Sequence, residues 1–255
     1  MLGGRGDLNN PHTAVGGIIL IKSEIERTTN QIAYNSSMTE YLDLDNWKRR
    51  DTFQFFLHFD KPYFNVCVQL DVTNLVALCR QTKTSSFLAY HYLTLRVANE
   101  IEEFHYRLRE GGILIHPVIH GGSTLLLPNE TFSFVYFDYY EDFERFAAET
   151  KCAIDEVRSG DGAFLPRDDH DALIHYTTVP WISFTSFSHA RNWGREDSIP
   201  KIAFGRFTEM DNRILLPMSV EVHHSLMDGL HVGRFINKME EALRIPEASL
   251  NLKLT

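Results

Sequence analysis

The stretch that most constrains the fold is ILLPMSVEVHHSLMDGLHVGRFINKMEEAL, residues 214 to 243. Its first part alternates with period two. Met218, Val220 and Val222 share one face of a strand, and Ser219, Glu221 and His223 share the other. Val232, Phe235, Ile236, Met239 and Leu243 then recur at spacings of three and four, the mark of a helix with one buried face. A strand running straight into an amphipathic helix must pack the two against each other. The chain is therefore read as an α/β protein in which helices cover a sheet. The junction carries His223, His224, Asp228 and Gly229. On the alternation, His224 continues the apolar face of Val222, while His223 continues the polar one.

The remaining pattern agrees. YFNVCVQLDV (63 to 72) alternates Phe64, Val66, Val68, Leu70 and Val72, a half-buried strand. Ser85 and Ser86 are placed to cap a helix running to about Asn99. Two strands flank a Glu-Gly-Gly turn at 110 to 112. TFSFVYFDY (131 to 139) reads as a strand, followed by a helix from about Tyr140 to Gly160 and a loop over 160 to 171. Further strands are expected at 173 to 178, 181 to 187, 201 to 208 and 214 to 223, the last two joined by a hairpin turn at EMDNR. Strands and helices mix without strict alternation, which gives a two-layer sandwich with a mixed β-sheet and flanking helices. Residues 1 to 37 are rich in Gly, Asn, Thr and Ser and show no sustained period, so they are taken as an N-terminal extension. Residues 38 to 255 are taken as a single domain.

Composition narrows the function classes. A net charge of −9 argues against a broad nucleic-acid-binding face, and 44% hydrophobic residues suit a chain with a sizeable core. The apolar run AVGGIILI (14 to 21) is too short to span a bilayer and ill-flanked for a signal peptide. The three cysteines are unclustered, as in a reduced chain, and a cytoplasmic protein without membrane or nucleic-acid partners is expected.

Two constellations carry chemistry. An imidazole at the end of a buried strand loses solvent while keeping access to a ligand, and its ordinary pKa of about 6.5 suits a general base. The bland alternative is a core histidine bonded to the backbone. Asp228 is equally suited to cap the helix that follows. A metal held by His223, His224 and His231 is not expected, because adjacent strand residues point to opposite faces. The second constellation is PWISFTSF (180 to 187), where Ser186 replaces an expected apolar residue. It reads either as a core serine bonded to the backbone or as a hydroxyl donor for a developing oxyanion.

HHSLMDG followed by LHVGRF, with PWISFTSF upstream and NWKRRDTFQFF near the start, resembles the chloramphenicol acetyltransferase family from about Tyr41 to Leu243. The resemblance implies the CoA-dependent acyltransferase fold, a homotrimer with sites at subunit interfaces, and acetyl-CoA as cosubstrate. It implies that His224 is the general base toward a small-molecule hydroxyl acceptor and that Ser186 stabilises the oxyanion. Asp228 matches a structural aspartate, paired with Arg49 of WKRR. Arg206 resembles a basic residue near the phosphates of CoA. Phe56, Phe64 and Ala203 fall where the family lines its drug site, and FSFVYF (132 to 137) adds aromatic surface. Ala203 stands where drug-acetylating members carry threonine, and Pro62 where they often carry cysteine, so the acceptor is chloramphenicol or another hydroxylated xenobiotic. Two other readings stay open. A dihydrolipoyl acyltransferase core usually carries Asp-His where this chain has His223-His224. A non-catalytic trimer that binds an acyl-CoA or a hydrophobic ligand is the other.

Overall fold

The strand over 214 to 223 and its neighbours form the spine expected from their alternation. The computed structural model describes residues 40–160, 170–191 and 197–252. The extension expected over 1 to 37 and most of the loop expected over 160 to 171 lie outside the described residues. In chain order the elements are β1 (Glu40–Tyr41), α1 (Arg50–Leu57), β2 (Tyr63–Asp71), α2 (Thr73–Thr82), α3 (Ser86–Asn99), a 3-10 turn (Glu102–His105), β3 (Tyr106–Arg109) and β4 (Gly112–Ile115). They continue with β5 (His120–Leu126), β6 (Phe132–Phe137), α4 (Phe143–Ser159), β7 (Leu173–Thr178), β8 (Lys201–Phe204), β9 (Thr208–Met210), β10 (Arg213–His223), α5 (Gly229–Arg244) and α6 (Pro246–Ser249).

The main sheet runs β2-β10-β8-β7-β5-β6, with β9 also on β10, and a smaller sheet runs β1-β4-β3. β10 is antiparallel to β2 and β8, while β7 is parallel to β5 and β8, so the sheet is mixed. This is the mixed α/β sandwich that the sequence implies. Among the described residues no helix is long and apolar enough to cross a membrane.

Register separates the two faces of the sheet. Val220 stands opposite Val66 and Ile202, and Met218 opposite Val68 and Phe204. With Val222 and Tyr176, these side chains join the core beneath α3 and α5, whose Leu93, Phe235 and Met239 are fully buried. The other face carries Glu221 opposite Lys201 and Asn65, Ser219 opposite Ala203 and Cys67, and His175 opposite Lys201. One face is therefore apolar and helix-covered, and the other is polar.

Local chemistry explains the ends of the elements. Ser85 caps α3 as expected, its hydroxyl accepting the Leu88 N–H at 3.5 Å. α4 begins at Phe143 rather than Tyr140, because Asp142 accepts the Arg145 N–H at 2.8 Å and sets the cap there. Both hairpin turns are present: Glu110 and Gly111 have positive φ, as do Asp211 and Asn212, which suits the twist of two-residue loops.

Two expected strands differ. The segment 181 to 187 is not a strand, and 201 to 208 is two strands separated at Gly205. The causes are linked. A Cβ on Gly205 would lie 2.7 Å from Pro217 Cγ and 2.9 Å from the Ile182 carbonyl oxygen, so the chain at 182 passes directly over the sheet there. It is tied by isolated bonds instead of a ladder: Arg206 N–H to the Ile182 carbonyl at 2.8 Å, and Gln69 Nε2 to the Phe184 carbonyl at 3.1 Å. Residues 179 to 191 thus lie across the polar face. α1 and α2 have no counterpart in the sequence reading.

Burial lowers the pKa of His175 and His223 to about 4, and that of His91 to about 3. These rings fold neutral, whereas in the unfolded chain they bind protons below about pH 6.5. The unfolded state therefore holds more protons between about pH 4 and 6.5, and stability rises with pH across that window. Urea unfolding at pH 7, 6 and 5 should show stability falling stepwise toward acid. Each neutral ring contributes a slope of up to about 1.4 kcal/mol per pH unit, and flat stability between pH 7 and 5 would contradict this account.

Candidate active site

His224 follows directly on β10 and is fixed by groups from three other parts of the chain. Its backbone N–H donates to the Pro62 carbonyl at 2.7 Å, just before β2. Its ring stacks on Phe56 of α1, with centroids 3.7 Å apart and planes 10° from parallel, and it leans on Phe64 of β2 at 4.7 Å. Phe55 and Phe59 extend this aromatic cluster outward to solvent. Nδ1 of His224 is sealed from solvent and lies 3.6 Å from Asp228 Oδ1, beyond hydrogen-bond reach. The side chain as a whole is 30% exposed, and Nε2 is not among the sealed atoms.

The turn that carries His224 is held by Arg49. Nε and Nη2 form a fork on Asp228 at 2.8 and 2.6 Å. Nη1 donates to the carbonyls of Ser225 and Leu226 at 3.1 and 2.7 Å, and Nη2 also donates to that of His224 at 3.3 Å. A planar guanidinium satisfies this set, which a lysine cannot. Burial alone would raise the Asp228 carboxyl, but the Arg49 hydrogen bonds and charge outweigh it and hold its pKa below the usual value. The Asp228 N–H donates to His231 Nδ1 at 2.8 Å, and His231 Nε2 meets Glu103 Oε1 at 3.2 Å. His223 turns the other way, its Nδ1 accepting from the Ser225 hydroxyl at 2.7 Å and the Ser225 N–H at 3.3 Å.

Of the residues singled out in the sequence, His224, Asp228, Arg49, Phe56 and Phe64 come together here. Ser186, Ala203 and Arg206 do not. Ser186 is exposed on the irregular segment that crosses the polar face, whereas His224 continues the apolar face. Ala203 is fully buried beneath its neighbours and is not an open wall in a single chain. Arg206 is exposed just beyond β8, and its side chain has no ion pair among the described residues. The sequence reading missed Thr177, a half-buried hydroxyl on β7 directly opposite Ala203 on the polar face. It also missed Arg191, whose ion pairs lie beside His223 on that face. No local pattern marks either residue.

The family model described as chloramphenicol acetyltransferase matches residues 38–240. The chain belongs to the chloramphenicol acetyltransferase family. A chloramphenicol acetyltransferase of Streptomyces acrimycini is 31% identical over 207 residues, covering 80% of this chain and 94% of the relative. A solved chloramphenicol acetyltransferase structure matches with a TM-score of 0.72 at 27% identity, covering 81% of this chain and all of that one. The dihydrolipoamide acetyltransferase of Azotobacter vinelandii matches with a TM-score of 0.57 at 18% identity, a likeness of fold. Membership of the chloramphenicol acetyltransferase family makes this chain an acyltransferase.

Removing Arg49 strands a carboxylate and three carbonyls in a turn where that arginine is only 13% exposed. Arg49→Ala should therefore lower stability by about 3 kcal/mol. Arg49→Lys should recover less than half of that, because it keeps the charge and loses the fork. Urea denaturation of both variants checks this, and a fully restored Lys variant would show that charge alone suffices.

Proposed function

We propose that this protein transfers the acetyl group of acetyl-CoA to a hydroxyl of a small hydrophobic acceptor, chloramphenicol or a related xenobiotic, with His224 as general base. The observation that carries this reading is the setting of His224: its ring is clamped face-on by Phe56, Nδ1 is sealed, and the side chain is still 30% exposed. A proton on Nδ1 is attracted to the Asp228 carboxylate 3.6 Å away, which leaves the Nε2 lone pair for the acceptor. Nε2 takes the hydroxyl proton as the oxygen attacks the thioester carbonyl. The tetrahedral oxyanion then collapses, expelling CoA thiolate, and the imidazolium returns the proton to sulfur. Transfer is direct, with no acyl-enzyme. Asp228 serves as the structural partner of Arg49 in this scheme, and Arg206, an exposed cation just beyond β8, is the candidate contact for CoA phosphate.

The oxyanion donor in this reading is a hydroxyl of the polar sheet face supplied by a second copy. The support is geometric: within one chain, Ser186 lies on the segment that crosses the polar face, whereas His224 continues the apolar face. A homotrimer with sites between subunits fits that separation. Ser186 is the donor inferred from sequence. Thr177 is the second candidate, favoured by its place in regular structure opposite Ala203.

The test is thiol release from acetyl-CoA with chloramphenicol as acceptor. His224→Ala should fall to near background, and loss of the true oxyanion donor should cost about 10²–10³ in turnover. Ser186→Ala and Thr177→Val compared side by side identify that donor. Equal release by wild type and His224→Ala would overturn the assignment of the base.

A further inference from the structure

The motif turn is held from the apolar face by Arg49, and the polar face presents a second arginine. Arg191 is 7% exposed. Its Nε donates to Glu221 Oε1 at 2.7 Å, and its Nη1 donates to Asp197 Oδ1 at 3.1 Å and the Ile199 carbonyl at 3.0 Å. Its guanidinium carbon sits 4.2 Å from the centre of the Tyr63 ring. The Tyr63 hydroxyl donates to the Asp197 carbonyl at 2.8 Å, which closes the cage. Lys201 joins it, 3.2 Å from Asp197 Oδ2. A buried charge set of this size is costly unless each member is paired, and it draws three separate pieces of chain into one fixed arrangement.

Those pieces reach His224 by two routes. Tyr63 is the cross-strand partner of His223, and its ring meets the His223 ring edge-on at 5.0 Å. Its chain neighbours are the two β2-side anchors of His224: Pro62, whose carbonyl accepts the His224 N–H, and Phe64, whose ring leans on the imidazole. Glu221 lies two residues before His223 on the same face of β10. His223 in turn accepts both the N–H and the hydroxyl of Ser225 through Nδ1, which fixes the first step of the turn.

We propose that Arg191 is a positioning residue for His224, acting from the sheet face opposite Arg49 through Tyr63 and His223. The inference rests on the reading of His224 as the base. The charged and titratable groups around His223 are Arg191 from the crossing segment, Asp197 shortly before β8, Glu221 on its own strand, Tyr63 on β2 and its neighbour His224. His189 and Lys201 lie against the Glu221 and Asp197 carboxylates of the same cluster. Burial keeps the His223 ring neutral, and the Arg191 charge adds to that. Protonated His223 carries hydrogen on Nδ1, which then donates to the Ser225 hydroxyl and leaves the Ser225 N–H without its acceptor. Loss of Arg191 therefore removes the stack on Tyr63 and favours the form of His223 that releases the turn.

The experiment compares wild type, Arg191→Met and Arg191→Lys, following the histidine ring Cε1–H signals by NMR from pH 4.5 to 8 and measuring acetyl-CoA thiol release with chloramphenicol. In wild type, His223 should stay neutral above about pH 5. In Arg191→Met its midpoint should rise into the range of about pH 5–7, the His224 signal should move, and kcat should fall about 10–100-fold with KM for acetyl-CoA within about twofold. Arg191→Lys should recover part of both effects. A folded Arg191→Met protein with both ring signals unmoved would overturn the proposal. Should that variant fail to fold, Tyr63→Leu keeps the ion pairs and removes the stack. A displaced His224 signal in Tyr63→Leu supports the positioning route, and an unmoved one overturns it. Absence of acetyl transfer in wild type would count against the proposed function, while the NMR arm would still decide the role of Arg191.

Discussion

One guanidinium sets the geometry on which the site depends. Arg49 reaches from the start of α1 to Asp228 and to three consecutive carbonyls of the turn after β10. Those carbonyls belong to neither a helix nor a sheet ladder, and left unpaired in a half-buried turn they would carry a desolvation cost. Pairing them with a distant side chain joins chain start and chain end. It also fixes α1, so Phe56 meets the His224 ring flat and Phe55 is turned toward solvent. Trp47 lies beneath the same guanidinium at 5.2 Å and packs edge-on against Phe53 and Tyr106. The arginine is thereby braced by ring surface on one side and by hydrogen bonds on the other.

The legible parts of the sequence were those where periodicity changes sharply. The run from β10 into α5 moves from period two to a helical period across a single turn, and its faces came out as alternation requires. The pairing of Arg49 with Asp228 spans 179 positions. No local pattern carries it, and only the family resemblance pointed there. Phe56 and Phe64 were found by the same route and do flank His224.

Other parts were hidden or misleading for physical reasons. Residues 181 to 187 alternate aromatic and hydroxyl side chains as a strand would, yet no neighbouring strand offers them a ladder. They lie across the sheet, held at Ile182 and Phe184 by single bonds. α1 has aromatic residues on more than one side, with Phe53 buried and Phe55 exposed, which blurs a helical stripe. α2 starts one residue after a strand-like run, so its first turn reads as more of that strand. Arg191 lies in a segment without strand or helix, 30 residues before its partner Glu221 on β10. Charge at such positions looks solvated until the fold buries it.

The division of β10 into an apolar and a polar face also separates two kinds of change that the protein can tolerate. His224, with its clamp of Phe56, Phe64 and Arg49, belongs to the helix-covered side. Thr177, Ala203 and Lys201 belong to the other side, on strands adjoining one another. Side chains on a strand alternate, so Thr177 and Ala203 point away from the face that packs the imidazole. A residue of the polar row can therefore change while the side chains that touch the imidazole stay as they are. A fold arranged in this way lets sequence drift act on one face of the sheet at a time.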